Sequence, residues 1–147
     1  MIDLIESVID LRHYGAVNYR QELFKPIENR IGRNKPRGGL WTSPVDSGWG
    51  WKDWAEMEEF GDLSTYFDLV FYGRVMVIDG VDDLMRLPWD GRGVLFDRLG
   101  GCGVDAIHLT ERGEEETRLS NPYDFYGWDC ETVLIMNQDA IRVDDHG

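Results

Sequence analysis

The chain has 147 residues, of which 42% are hydrophobic and 12% aromatic, and its formal net charge is −13. This length and composition predict a single globular domain over residues 1–147 and exclude a disordered chain. The excess of acidic residues repels nucleic acid at long range, so nucleic acid is disfavoured as a partner. Because no apolar run approaches the roughly 20 residues of a membrane span and the first residues are acidic, we expect a soluble protein of the cytoplasm.

The N-terminal part of the chain predicts two short elements. Residues 4–11 are compatible with a short helix, or residues 8–14 with a first strand. Residues 18–29 predict a helix, because apolar residues recur there at near-helical spacing. Pro26 is expected to kink this helix or to split it.

A short strand and a tryptophan-rich segment follow a basic cluster formed by Arg30, Arg33, Lys35 and Arg37. Residues 40–42 predict the strand. Asp46 or Ser47 is expected to cap a helix that runs to Phe60. Four of the six tryptophans lie between positions 41 and 54. They indicate the wall of a ligand pocket or, about equally, core packing or a protein interface.

The C-terminal half predicts most of the sheet. Residues 66–78 give the strongest strand signal and are expected to form two strands joined near Gly73. Short helices are predicted over 81–87 and 94–99, and a strand over 105–109.

Towards the C-terminus, the acidic run 111–116 is expected to be a solvated hairpin or loop, and strands are predicted over 130–136 and 141–143. The predicted fold class is α+β, with a mainly antiparallel split β-sheet core and short flanking helices.

The cysteine and histidine residues do not indicate a metal site. Two cysteines are too few for a disulfide scaffold in a domain of this size, and both are expected to be reduced and buried. The five Cys and His residues show no closely spaced ligand pair, so zinc is not expected. These residues are Cys102, Cys130, His13, His108 and His146.

Three separated motifs carry a resemblance to a known family. They are His13-Tyr14-Gly15, the Gly39-Leu40-Trp41 strand, and Glu131 at the start of the last long apolar strand. Their order is similar to that of the ADP-ribosyltransferase superfamily, whose members split NAD at the nicotinamide–ribose bond and transfer ADP-ribose to an acceptor. The first motif resembles the His-Gly dipeptide of the His-Tyr-Glu branch, with a tyrosine inserted. Thr42-Ser43 is similar to the Ser-Thr-Ser strand of the arginine-modifying branch.

The resemblance implies a role for each matching residue. Glu131 is the expected catalytic carboxylate, because departure of nicotinamide leaves a positively charged, oxocarbenium-like ribose. His13 is expected to hold the nicotinamide-side ribose or the adenosine, while the backbone at Tyr14 and Gly15 grips the carboxamide. Asp129, two residues before Glu131, is expected to orient a protein acceptor, with arginine as the first acceptor side chain to test.

The resemblance also implies which residues bind NAD, here a substrate. Aromatic side chains are expected to stack on the cationic nicotinamide ring, a serine to bond its carboxamide, and Arg37 or Arg12 to pair with the pyrophosphate. The remaining expected NAD-binding residues are Gly39, Trp41, Ser43, Ser47, Trp49 and Trp51.

Two other interpretations stay open. The chain could be a non-enzymatic acidic binder, a nucleic-acid mimic or inhibitor, whose tryptophans supply contacts to a basic partner. It could also be a pseudoenzyme that binds a nucleotide without transferring it. If the protein is an active transferase, its small size is typical of toxin or phage effectors of this superfamily.

Overall fold

The computed structural model describes residues 4–30, 33–59, 61, 63–121 and 123–143, with Arg33 described by its backbone alone. Phe60, the expected end of a helix, and His146 lie outside these residues. The strands are β1 (Ile5–Tyr14), β2 (Lys25–Arg30), β3 (Arg33–Pro44), β4 (Tyr66–Ile78), β5 (Ala106–Leu109), β6 (Thr132–Ile135) and β7 (Ile141–Arg142). The helices are α1 (Trp51–Met57), α2 (Val81–Leu84) and α3 (Glu111–Thr117), and short 3₁₀ turns lie at Gln21–Leu23, Phe96–Arg98, Gly100–Cys102 and Gln138–Ala140.

The strands form one mixed sheet of an α+β domain, which confirms the predicted class. The described strands pair in the order β1-β3-β6-β5-β4-β7, with β2 beside β3. All pairs are antiparallel except β4 and β5. Because β1 pairs with both β3 and β4, the path closes into a ring of five strands. The sheet is therefore mainly antiparallel, as expected, but it is not split into two.

Two hydrophobic clusters lie on the two faces of this ring. The inner cluster draws residues from all five strands of the ring, including Leu11, Leu40, Phe71, Ala106 and Val133. The outer cluster joins the other faces of β4, β5 and β6 to the segments that contain α2 and the 3₁₀ turn at Phe96–Arg98, and it includes the buried Trp128. Strand side chains alternate between these clusters, which fixes the register of each strand.

The helix expected over residues 18–29 is wrong. Residues 18–24 form a loop that contains the 3₁₀ turn Gln21–Leu23, and β2 follows as an edge strand paired with β3. An edge position tolerates Pro26, which has no N–H to donate to a ladder. The apparent helical spacing arises because Tyr19, Leu23 and Phe24 pack on the inner cluster from a loop and a turn.

The tryptophan-rich helix starts later than expected. Gly50 is the N-cap of α1, and its N–H donates to the Asp53 carboxylate at 2.9 Å. Asp46 and Ser47 lie before the cap, so the expected capping is wrong.

The acidic run that was expected to be a loop forms α3. Thr110 Oγ1 accepts from Gly113 N at 3.0 Å, and Arg118 pairs with the buried Glu114 at 3.3 Å. α1 and α3 have seven residues each. None of the helices in the described ranges is both long and apolar enough to cross a membrane.

The strand expectations hold better, because extended apolar segments dominate that part of the chain. β1, β5, β6 and β7 lie within or overlap the segments predicted as strands. β4 is one continuous strand of 13 residues and does not break at Gly73. The missing side chain at Gly73 leaves space for the Asp105 carboxylate, which accepts from Arg74 N at 2.8 Å.

Close packing of α3 on β4 provides a test of the fold. A Cβ added at Gly113 would lie 2.0 Å from the Ile78 carbonyl oxygen. We expect Gly113→Ala to lower the free energy of unfolding by roughly 1–3 kcal/mol and Tm by at least about 2 °C. Gly100→Ala is the control, because its added Cβ meets no heavy atom within 4 Å. Equal Tm values for the two variants in thermal unfolding would contradict this packing.

Candidate active site

The three motifs meet where β1, β3 and β6 lie side by side. His13 Nδ1 is 2.8 Å from the Trp41 carbonyl oxygen, which joins β1 to β3. Ser43 Oγ donates to the Glu131 carbonyl oxygen at 2.8 Å, which joins β3 to the residue before β6. Residues far apart in the sequence therefore share one end of the ring.

A cavity of about 290 Å³ opens at this junction. We call it the first cavity. Its walls include five aromatic side chains, those of His13, Tyr14, Trp41, Trp51 and Trp128. Ser43, Cys130 and Thr132 add small polar groups from β3 and the start of β6. A concave, mostly apolar site with a few polar groups is the usual form of a small-molecule site.

The first cavity carries cationic groups although the chain is strongly acidic. Arg12 and Lys35 line it, together with Asp129. Arg12 is paired with Asp68 at 2.6 and 3.0 Å, and its guanidinium lies 4.2 Å from the centroid of the Tyr66 ring. Lys35 Nζ donates to the Gly127 carbonyl oxygen at 3.0 Å, and no second acceptor for it lies among the described residues, so two of its three donor positions can serve a ligand.

A second cavity of about 190 Å³ adjoins the first. Both are lined by Arg12, Tyr14, Ser43 and Trp51, so the two cavities are neighbours that share part of their walls, and we call the pair the cleft. The second cavity adds Ser47 and the first turn of α1.

Glu131 does not line the first cavity. Its carboxylate is held on the other side of the junction, where Ser47 Oγ donates to Oε1 at 2.5 Å and His108 Nε2 lies 2.7 Å from Oε2. Burial raises the pKa of this carboxyl, but the hydrogen bonds from His108 and Ser47 together outweigh burial and bring the pKa below its ordinary value. Glu131 is therefore an ionised carboxylate, and it is hydrogen-bonded to Ser47, which lines the second cavity.

His13 is held as a neutral imidazole. Burial lowers its pKa, and the hydrogen bond to Trp41 offsets only part of that effect. Because the carbonyl oxygen can only accept, Nδ1 carries the proton, and Nε2 of the neutral ring is left as an acceptor.

Five described residues of the expected site line neither cavity: Glu131, Gly15, Arg37, Gly39 and Trp49. Arg37 is exposed on the β2–β3 hairpin. Gly39 has φ +69°, and a Cβ there would lie 2.6 Å from the Ile135 carbonyl oxygen, so it serves the pairing of β3 with β6. Trp49 holds the start of β6, since its Nε1 donates to the Asp129 carbonyl oxygen at 3.0 Å. Gly15 ends β1 at φ +110°.

Sequence reasoning missed three residues of the site. His108 was considered only as a metal ligand, although a histidine between two apolar residues of a buried strand signals a polar partner. Lys35 was passed over in favour of arginine. Trp128 was not considered, and its ring lies 4.9 Å from that of Trp41.

Comparisons with protein-family models, with curated proteins and with solved structures found no match to this chain. Within the described ranges, no group of three or more His, Cys, Asp or Glu side chains is arranged to hold a metal ion. The function is therefore inferred from the geometry of the site.

The two cysteines should differ in reactivity. Cys130 is buried and Cys102 is exposed, so the expectation that both are buried is wrong for Cys102. Burial raises the pKa of the Cys130 thiol to about 11, and the thiolate is the reactive form. We expect one thiol to react rapidly with Ellman's reagent at pH 8. Cys102→Ser should abolish that fast reaction, whereas a fast reaction in Cys102→Ser would contradict the burial of Cys130.

Proposed function

We propose that the protein is an NAD-dependent ADP-ribosyltransferase that modifies a protein acceptor. The observation that carries the proposal is the junction of β1, β3 and β6, which brings the three motifs to one end of the ring and places His13 and Trp41 in the wall of the first cavity. The Glu131 carboxylate lies beside this site, hydrogen-bonded to Ser47 of the second cavity. The small effector type remains the expected biological setting.

The first cavity suits the nicotinamide end of NAD. Tryptophan faces attract a cationic ring by about 0.5–2 kcal/mol, and Trp41 and Trp51 both line this cavity. His13 Nε2 is an acceptor for a hydroxyl group of the nicotinamide-side ribose. At about 290 Å³ the cavity is too small for the whole dinucleotide, so the rest of NAD would extend along the cleft or beyond it.

Glu131 is suited to act on a ribose hydroxyl through Ser47. Its Oε1 accepts from Ser47 Oγ, and Ser47 lines the second cavity, whereas Glu131 does not. A ligand hydroxyl in the second cavity would therefore donate to Ser47 Oγ, which has room for a second donor beside Trp49 N. The negative charge of Glu131 then stabilises the positive charge that develops on the ribose as nicotinamide departs.

Lys35 is the better candidate for the phosphates of NAD. It lines the first cavity, whereas Arg37 does not, and Arg12 is already engaged by Asp68. An ammonium group binds phosphate as a point charge.

Asp129 is suited to orient the acceptor. It lines the first cavity, and its carboxylate lies 3.9 Å from Arg118 Nη1. An arginine of another protein could make the same kind of pair with it. The net charge of −13 favours acceptors with basic surfaces.

Replacement of Glu131 tests the reaction. In Glu131→Gln the side chain keeps its size but loses its charge, so we expect kcat for nicotinamide release to fall by about 100-fold or more. NAD affinity, measured by quenching of tryptophan fluorescence, should change little. Glu22→Gln, at an exposed site in a 3₁₀ turn, is the control. An undiminished kcat in Glu131→Gln would contradict the catalytic role of Glu131.

The wild-type protein distinguishes the alternatives. Incubation with labelled NAD and basic acceptor proteins should yield free nicotinamide and labelled protein. NAD binding without nicotinamide release would identify a nucleotide-binding pseudoenzyme. Salt-sensitive binding of a basic partner without any NAD binding would identify an acidic inhibitor or mimic.

Replacement of Lys35 tests the phosphate contact. We expect Lys35→Met to weaken NAD binding by about tenfold, the effect of one lost charged hydrogen bond. Nicotinamide, which has no phosphate, should bind to this variant as it does to wild type. Lys25→Met on the exposed edge strand β2 is the control. If the affinities for NAD and for nicotinamide fell equally, Lys35 would not act through the phosphates.

A further inference from the structure

The Glu131 carboxylate lies between two donors from separate parts of the chain. Ser47 comes from the turn after β3, and His108 comes from β5. The side chain of Glu131 is 13% exposed and that of His108 is 18% exposed. Two short hydrogen bonds on a largely buried carboxylate define one orientation of the group.

We propose that His108 is the positioning residue of Glu131, which holds Oε2 so that Oε1 faces Ser47, a residue of the second cavity. The geometric part of this inference stands on the contacts alone. Its consequence for NAD cleavage rests on the proposed function.

The chemistry of the contact fixes the direction of the hydrogen bond. An ionised carboxylate can only accept, so His108 Nε2 must carry the proton and donate to Oε2. Ser47 cannot replace this bond, because its hydroxyl hydrogen is given to Oε1 and its oxygen accepts from Trp49 N at 3.2 Å.

The backbone around His108 is rigid. β5 lies in the interior of the sheet, and His108 is opposite Val77 of β4 on one side and Val133 of β6 on the other. Ile107 and Leu109 belong to the outer cluster. Because side chains alternate along a strand, His108 points to the inside of the ring, on the same face of β5 as Ala106. A reacting group is held best by residues whose own positions are fixed by packing.

Loss of the imidazole should therefore affect the carboxylate in two ways. Oε2 loses its donor, so the group is free to rotate about Ser47. Burial raises the pKa of Glu131 and the hydrogen bond from His108 lowers it, so loss of the imidazole should raise this pKa.

The first experiment measures Glu131 directly. Carboxyl ¹³C shifts of protein labelled at glutamate are followed against pH, and the Glu131 signal is identified by its absence in Glu131→Gln. In His108→Val, which removes the donor and suits a strand, we expect Glu131 to titrate at higher pH than in wild type. In His108→Gln, whose amide nitrogen reaches about as far as the imidazole Nε2, the titration should lie closer to wild type.

The second experiment measures NAD cleavage in the same variants. We expect kcat of His108→Val to fall by about tenfold or more, which is typical when a residue that orients a functional group by a hydrogen bond is lost. KM for NAD should change less than about threefold. His108→Gln should recover part of kcat. Circular dichroism and thermal unfolding establish that both variants are folded.

The outcomes separate this inference from the proposed function. An unchanged Glu131 titration in both His108 variants would overturn the positioning role, whatever the wild-type activity. A shifted titration in a protein that never cleaves NAD would support the positioning role and contradict the proposed function. If His108→Val does not fold, the imidazole ¹⁵N shifts of His108 in the wild-type protein decide, with the signal identified by its absence in His108→Gln. Shifts that show Nε2 without a proton at neutral pH would overturn the donation to Oε2 and with it the positioning role.

Discussion

The site depends on the hydrogen bonds that join the turn after β3 to the start of β6. Glu131 N donates to the Trp49 carbonyl oxygen at 2.8 Å, and Trp49 Nε1 donates to the Asp129 carbonyl oxygen. Ser43 Oγ donates to the Glu131 carbonyl oxygen and accepts from Trp51 N at 2.8 Å. These contacts fix the start of α1 and the start of β6 together, so that both cavities and the Glu131 carboxylate share one rigid support.

The distribution of charge around the cleft is unusual for so acidic a chain. Lys35 and Arg12 line the first cavity, Arg12 is paired with Asp68, and Glu131 is hydrogen-bonded to His108. A cleft with local cations attracts an anionic ligand at short range, while the surrounding acids favour basic macromolecules at long range. This combination is compatible with a dinucleotide substrate and a basic protein acceptor.

Strand positions could be predicted from the sequence because apolar residues dominate them. β4, β5 and β6 contribute to both hydrophobic clusters and read as extended apolar runs. The errors fall where another interaction overrides local pattern. β2 was mistaken for a helix because loop residues pack on the core. α3 was mistaken for a hairpin or loop because its buried face consists of Gly113, Glu114 and Thr117 and has no large apolar side chain.

The sequence by itself determined the fold class and the identity of the residues at the junction, including His13, Trp41 and Glu131. Only the tertiary structure decided which partners they have. Glu131 meets Ser47 and His108 across 84 and 23 residues of chain, and no local pattern encodes contacts that arise from strand order and register. For the same physical reason, only the structure shows that the Glu131 carboxylate is bound to Ser47 and does not line the first cavity.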